Sequence, residues 1–328
     1  MGEKLGVMGC GSWATTIAKI LAENGHDVLV WCHRDGIVDD INSRRSHTKA
    51  LPGIILPDTL RATSSLAELV AHSRGLVIGL ASSYISRVEA LTSYSLSLPV
   101  LSLTKAMLSQ KASFFVSDYL QACLPQSSIA VLSGPNLALE LAQSKPAATV
   151  IASKTDAAGL FQSWLSNGYF RVYKTHDSRG VECGGFLKNV MAIAAGAIEG
   201  SQLGENAKAA LITRGLQEMI RFGTLFGADE KTFFGLSGLG DLLATCHSDK
   251  SRNWRVGFQL AQSKSLDAIL SDLGAVAEGV HTASVLNQYL KQEGLSFPIM
   301  EEVYAMLFEG KTLVSSLQTL MSRKLKSE

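Results

Sequence analysis

Four short strings in this sequence hold side chains or backbone suited to chemistry. Gly9-Cys10-Gly11-Ser12-Trp13-Ala14 is a GxGxxA run. Its absent or minimal Cβ atoms permit a tight turn, a close backbone approach to an anion, and a helix packed near a sheet. Amides at the start of such a helix can face a pyrophosphate. Gly184-Gly185-Phe186-Leu187-Lys188-Asn189 places an amine, which can give or take a proton, at the head of an apolar helix pattern. Gly238-Leu239-Gly240-Asp241 adds a carboxylate, and Ser251-Arg252-Asn253 groups a hydroxyl, a guanidinium and an amide near a helix N-terminus, where they suit a phosphate.

Each string also has a plainer reading. A Gly-rich turn can be purely structural, a helical lysine is more often a solvated flank, and Ser251 and Asn253 suit helix capping. The Gly184-Gly185 pair costs a helix stability relative to alanine, so something approaches the backbone closely there. The strand after the glycine loop ends in His33-Arg34, not in the acid that grips both ribose hydroxyls of NAD. A guanidinium at that point pairs with a 2′-phosphate through two parallel hydrogen bonds and favours NADP over NAD. Stacking of Arg34 over the adenine is the alternative, and it leaves the choice of cofactor open.

The elements that position these residues follow from periodicity. Strands are expected at Leu5–Met8, Val28–Cys32, Leu76–Leu80, Val100–Leu103, Ile129–Leu132 and Thr149–Ala152, with helices at Trp13–Glu23, Ser65–Ala71, Tyr84–Leu91 and Ala112–Leu124. Repeated strand–helix–strand units require crossovers, and so a parallel sheet with helices on both faces. From Val181 the strand signal fades. Helix patterns take over at Glu182–Ile198, Ala207–Phe226, Trp254–Gln262, Val280–Gln292 and Ile299–Phe308, ahead of a charged, frayed tail at Met321–Glu328. The expected division is a dinucleotide-binding α/β domain over 1–177 and a helical domain over 178–328, with the ligand site in the cleft between them.

A net charge of +1 argues against a broad nucleic-acid or membrane-binding surface, although a local basic pocket for a small anion remains compatible with it. No apolar run reads as a membrane span, and Lys4 leads straight into the first strand, so no signal peptide is expected. The five cysteines form no CxxC pair and no metal spacing with the seven histidines. They read as reduced, mostly buried thiols of a cytoplasmic protein.

Taken together the strings resemble the bacterial NAD(P)-dependent sn-glycerol-3-phosphate dehydrogenases nearly end to end. The likeness runs from Gly9–Ala14 through Leu103-Thr104-Lys105, Leu132-Ser133-Gly134-Pro135, Gly184–Val190, Ala209–Gly215, Gly238–Asp241 and Ser251–Asn253 to Glu278-Gly279-Val280. Gly-Gly-x-Leu-Lys-Asn and Ser-Arg-Asn are far more specific than the glycine loop. The resemblance implies an α/β class: an N-terminal Rossmann-type sheet, then an all-helical C-terminal domain of the 6-phosphogluconate-dehydrogenase-like kind. It implies interconversion of dihydroxyacetone phosphate and sn-glycerol 3-phosphate with NAD(P)H, supplying phospholipid synthesis. It also implies a cytoplasmic homodimer without metal, nucleic-acid partner or membrane insertion.

By the same resemblance, Gly9, Gly11, Ser12, Trp13, His33, Arg34, Ala138, Val276 and Glu278 contact the cofactor. Lys105 and Arg252 reach both cofactor and substrate, and Lys188 accepts the proton while touching the substrate. Gly134, Asn136, Asp241, Ser251 and Asn253 hold the substrate. Three positions depart from the usual family wording: Ala14 replaces Gly, Ala106 follows Lys105 where Gly is common, and Asn136 stands where Ser often does. The last bears on the geometry of one substrate contact. An ordinary lysine pKa of about 10.4 leaves little free amine near neutrality. Lys188 is therefore expected to have a lowered pKa, through burial and the nearby Lys105 cation, with Asp241 orienting it. A dehydrogenase of the 6-phosphogluconate or β-hydroxyacid type shares the architecture and the Lys-Asn pair, but Ser251–Asn253 and Gly238–Asp241 favour the glycerol phosphate reading. A binding module without turnover is disfavoured by Lys105, Lys188, Asp241 and Arg252 all being present.

Overall fold

Short apolar runs that are buried on both faces form the inner strands of a parallel sheet. The computed structural model describes residues 2–109, 114–273 and 276–325. Its strands are β1 (Lys4–Met8), β2 (Asp27–Trp31), β3 (Leu60–Thr63), β4 (Gly75–Ile78), β5 (Pro99–Ser102), β6 (Ser128–Ser133), β7 (Ala147–Ala152) and β8 (Phe170–Thr175). They lie in one sheet in the order β3-β2-β1-β4-β5-β6-β7-β8. Every strand expected from the sequence is present. The two that were not anticipated are β3, only four residues long with Arg61 exposed, and β8, an edge strand whose inward residues alternate with exposed Arg171 and Tyr173.

The sheet departs from the all-parallel expectation at one junction, where β7 runs antiparallel to β6. A parallel crossover needs a long connection. Here the link carries only α5 (Ala138–Ala142), which packs against α1 (Ser12–Glu23), with the Thr16 hydroxyl donating to the Ala138 carbonyl at 3.1 Å. The chain therefore turns back, and Thr149 Oγ1 donates to the Ser133 carbonyl across the turn at 2.9 Å.

Helices α1, α2 (Asp35–Arg44), α3 (Leu66–His72), α4 (Val116–Cys123) and α6 (Ala157–Leu165) cover the sheet. One face packs Ile17, Leu21 and Phe161, the other Leu69, Val88 and Leu120. Ala112 and Ser113 of the expected fourth helix, and residues 326–328 of the expected tail, lie outside the described residues. The segment read as a helix at Tyr84–Leu91 is a 3₁₀ run, Ser82–Tyr94. Near its end Thr92 and Ser93 donate to the carbonyls of Glu89 and Ala90, three residues back.

The remaining helices are α7 (Ser178–Gly200), α8 (Glu205–Thr224), α9 (Glu230–Phe233), α10 (Asp241–Cys246), α11 (Arg252–Ala261), α12 (Leu266–Leu273), α13 (Glu278–Glu293), α14 (Pro298–Phe308) and α15 (Leu313–Met321). Asp177 caps α7, its carboxylate accepting from the Gly180 amide at 2.9 Å. Helix α7 is long and apolar enough to cross a membrane, yet its whole apolar window is buried inside protein. It is the axis of the helical core, wrapped by α8, α11 and α13. The closest neighbour is α11. A Cβ added at Gly257 would lie 1.8 Å from the Ile193 carbonyl oxygen, and one at Gly196 would lie 1.9 Å from that of Trp254.

The reading of the cysteines needs correction. Cys10 and Cys32 are joined as a disulfide, with Cα atoms 5.5 Å apart, while Cys123, Cys183 and Cys246 are free. Parallel pairing of Met8 with Trp31 brings the residues after β1 and β2 side by side, a contact that spacing along the chain cannot reveal.

The crossing of α7 and α11 yields a stability prediction. Gly257→Ala forces a methyl against backbone and is expected to destabilise the protein by about 1–3 kcal/mol. Gly168→Ala, at a position with nothing within 4 Å of an added Cβ, serves as control. Urea denaturation midpoints for the two variants test this, and equal midpoints would contradict the close crossing.

Candidate active site

A buried carboxylate lies at the centre of the site. Asp241, only 2% exposed, opens α10 directly after a π-helical turn, Leu236–Gly240, in which the Gly240 amide reaches the Gly235 carbonyl at 3.1 Å. That turn presses the Ser237 carbonyl against α7, and a Cβ on Gly184 would lie 2.3 Å from its oxygen. The next glycine admits the other side of the site: a Cβ on Gly185 would lie 2.9 Å from Ser133 Oγ and 3.5 Å from the Lys105 side chain. The close approach inferred from Gly184-Gly185 is thus made by the protein itself. It brings the loop after β5, the end of β6 and the π turn onto one face of α7.

Two lysines converge on Asp241. Lys188 Nζ donates to Oδ1 at 2.6 Å and Lys105 Nζ donates to Oδ2 at 2.6 Å. Lys188 also donates to Thr245 Oγ1 at 2.8 Å, and Lys105 to the Gly134 carbonyl at 3.0 Å. An ammonium has three N–H donors, so each lysine keeps one for a ligand. Burial by itself would raise the Asp241 pKa, but the two cations outweigh it and hold the carboxyl below its usual range. Burial likewise drives Lys105 toward the neutral amine. Asp241 opposes this, Lys188 adds repulsion, and the Lys105 pKa falls to about 8. The sequence does not single out Lys105 for this shift, because it does not show that both lysines share one carboxylate.

A second network fixes the backbone around this centre. Asn253 Oδ1 accepts from the Gly279 amide at 2.9 Å and its amide donates to Asn189 Oδ1 at 2.9 Å. Asn189 in turn donates to the Lys105 carbonyl at 3.2 Å. The Asn253 side chain is thus anchored inside the protein through its oxygen and one N–H, and its second amide N–H is left for a ligand. Ser251 accepts from the Trp254 amide at 3.3 Å, the capping role weighed from sequence, and its hydroxyl proton is left to donate. Only Arg252 of this string is exposed, at the first position of α11, with no ion pair among the described residues. Asn136 donates to the Ala148 carbonyl at 3.0 Å, and its Oδ1 is buried without a partner. Thr245 was not identified from sequence as a site residue. The available signal was its position one helical turn after Asp241, on the same face of α10.

The glycine loop has the form a dinucleotide needs. Gly9 adopts φ 122°, where a Cβ would also strike the Gly79 carbonyl oxygen at 2.6 Å. A Cβ at Gly11 would meet nothing within 4 Å, so the space above the loop is open. Helix α1 begins at Ser12 with no side-chain cap and no acid in its first turn, leaving its amides for an anion. Trp13 Nε1 is buried without a partner. His33 and Arg34 follow β2 at the same end of the sheet, and Ala138 opens α5. Val276 lies half-buried ahead of α13. Glu278 opens α13. Its carboxylate accepts from Ser82 N at 3.0 Å and Ser82 Oγ at 2.5 Å, which ties α13 to the segment after β4.

A Rossmann-type sheet with an open glycine loop, joined to helices that bury a lysine–aspartate–lysine centre, defines a dinucleotide-dependent dehydrogenase. Known proteins agree. A sequence model described as the NAD-dependent glycerol-3-phosphate dehydrogenase N-terminus matches residues 4–159, and that of the C-terminus matches residues 177–318. A glycerol-3-phosphate dehydrogenase for NAD(P)+ from Lysinibacillus sphaericus is 41% identical over 338 residues, covering 98% of each chain. The crystal structure of glycerol-3-phosphate dehydrogenase from Coxiella burnetii matches with a TM-score of 0.93 at 31% identity, over 98% of this chain and 99% of that one. The enzyme of Saccharomyces cerevisiae matches with 0.86 at 29% identity, over 98% and 100%. The chain belongs to the NAD(P)-dependent glycerol-3-phosphate dehydrogenase family.

Removing the central charge leaves two buried ammoniums facing each other. Asp241→Asn is expected to lower stability by about 3–5 kcal/mol, and adding Lys188→Met should restore part of the loss. The penalty of the single variant should shrink as pH rises toward about 8, the value Lys105 has with Asp241 present, because without that carboxylate Lys105 gives up its proton at lower pH and no longer repels its neighbour. Denaturation curves at pH 7 and pH 9 test this, and a pH-independent loss would contradict it.

Proposed function

We propose that this protein interconverts dihydroxyacetone phosphate and sn-glycerol 3-phosphate by hydride transfer with NAD(P)H. The observation that carries the reading is the Lys105–Asp241–Lys188 centre, in which each ammonium keeps one free N–H. Two cations and one anion leave a net positive charge, which suits an anionic substrate whose carbonyl oxygen gains charge in the transition state. The nicotinamide, when bound, supplies the hydride donor or acceptor.

In reduction, the Lys188 ammonium stabilises the alkoxide forming at C2 and then transfers a proton to it. In oxidation, its neutral amine takes the hydroxyl proton. Thr245 and Asp241 hold Lys188 Nζ in place during both. Lys105 lies between the two halves of the chain and contributes its charge to both ligands. Arg252 and the amides at the start of α11 hold the phosphate, which takes no part in bond making and fixes C2 within about 3–3.5 Å of its partner carbon. Ser251 and Asn136 supply further donors, and Gly134 lets the chain approach the substrate closely.

Ser12, Trp13 and the amides of α1 hold the pyrophosphate, with His33 and Arg34 at the adenosine end; Arg34 favours NADP. Ala138, Val276 and Glu278 complete the cofactor contacts. The chain divides into a cofactor half, 1–177, and a helical substrate half, 178–328. The working direction is ketone reduction, supplying phospholipid synthesis from the cytoplasm as a homodimer.

Lys188→Met is expected to lower turnover by about 10²–10⁴-fold while leaving cofactor binding intact, read by NADPH oxidation with dihydroxyacetone phosphate. Activity with 3-keto acids instead of that substrate would shift the reading to a β-hydroxyacid-type enzyme. Arg252→Ala should raise KM for glycerol 3-phosphate and also lower kcat, because remote binding energy positions the reacting carbon. An unchanged KM would remove Arg252 from the phosphate site.

A further inference from the structure

The C-terminal end of β2 meets the 3₁₀ run Ser82–Tyr94 in a cluster of rings and cations that the resemblance uses only in part. Arg87 in that run has its Cζ 5.9 Å from the centroid of the Trp31 ring and 5.7 Å from that of Tyr84. The His33 ring lies between the same two side chains, 6.3 Å from each by centroid. Tyr84, His33, Arg34 and Arg87 are all exposed. They form a rim at the strand end where a dinucleotide bound by the glycine loop must place its adenosine.

The charges at this rim are unbalanced. Arg44 and Arg45 nearby in sequence are paired with Asp40 and Asp58. Neither Arg34 nor Arg87 has a carboxylate partner among the described residues. Both guanidiniums act on His33, whose pKa is lowered first by burial, then by Arg87 and then by Arg34. The two cations thus come from different elements, one at the residue before α2 and next to His33 in the chain, the other on the segment after β4 beside the His33 and Tyr84 rings. Arg87 packs beside the Trp31 and Tyr84 rings, and no hydrogen bond or ion pair among the described residues takes up its N–H donors, which leaves them available to an anion.

We propose that Arg87 acts with Arg34 as a second guanidinium for the phosphate monoester on the 2′ position of the adenosine ribose, and so determines preference for NADP(H) over NAD(H). This rests on the reading of the glycine loop as the dinucleotide site and deepens it. Two guanidiniums on separate elements can engage different oxygens of one phosphate dianion. The 2′-hydroxyl of NAD(H) offers them neither the charge nor the acceptors. The competing use of Arg87, stacking on the adenine itself, serves both cofactors alike.

The test compares adenosine 2′,5′-bisphosphate with AMP by calorimetry, and NADPH with NADH by steady-state kinetics, in the full-length enzyme. Arg87→Ala is expected to weaken adenosine 2′,5′-bisphosphate about tenfold or more and to raise KM for NADPH similarly. AMP affinity and KM for NADH should stay within about twofold. Arg87→Lys should recover part of the loss, retaining the charge without the fork. Equal weakening of both fragments would overturn the proposal in favour of adenine stacking, and an unchanged profile would overturn it outright. If Arg34→Ala separates the two fragments and Arg87→Ala does not, the Arg87 assignment falls while the dinucleotide site stands. Failure of the wild type to bind either fragment would overturn both.

Discussion

A single carboxylate, Asp241, is shared by two ammoniums in a region nearly closed to water, at 2.6 Å from each. Taking three charges out of solvent is costly, and the cost is met only where geometry and additional hydrogen bonds are complete. Here Thr245, Ser133 and the Gly134 carbonyl complete them. The arrangement works as a unit, since loss of any one member changes the charge state of the others. Its surplus positive charge makes it receptive to an anion, and its buried position strengthens every interaction that anion makes.

The rest of the helical half serves to make that convergence possible. Lys188 lies in the middle of α7, Asp241 at the head of α10 and Lys105 on a loop beyond the sheet, so three elements must approach one another to nearly backbone contact. Gly184 and Gly185 permit it on one face of α7, and Gly196 with Gly257 permits the α11 crossing on another. The α11 crossing matters because it carries Arg252, and because Asn253 passes a chain of hydrogen bonds through Asn189 to the Lys105 backbone. Arg252 and the Lys105–Asp241–Lys188 centre are thereby held in one frame. Glu278, bound to Ser82, adds a tie between the helices and the segment after β4.

Much of this was legible before any coordinates. The glycine loop, the strands through Thr149–Ala152 and the helices from Glu182 onward are local signals, written in side-chain size and period. Short edge strands such as Leu60–Thr63 and Phe170–Thr175 carry little such signal, because their pairing partners lie elsewhere in the chain. The antiparallel turn into β7 was hidden for a similar reason, since direction depends on where the connecting residues pack and not on the composition of the strand. Asn253 shows the limit within the site. Its residue type suits a ligand, and only its surroundings show that it also joins Asn189 to the Gly279 backbone.

The sequence alone determined the classes of group present: a glycine loop between a strand and a helix, lysines and a guanidinium in set strings, and an α/β half followed by helices. These follow from residue type and near-neighbour spacing, which the covalent chain fixes. Only the tertiary structure decided that Lys105 is the ammonium pushed down to about 8, that Cys10 meets Cys32, and that Arg87 stands beside His33 and Trp31. Each of those depends on charges or atoms far apart in sequence coming within a few ångströms. Coulombic and desolvation energies act through distance in space, which the order of residues does not contain.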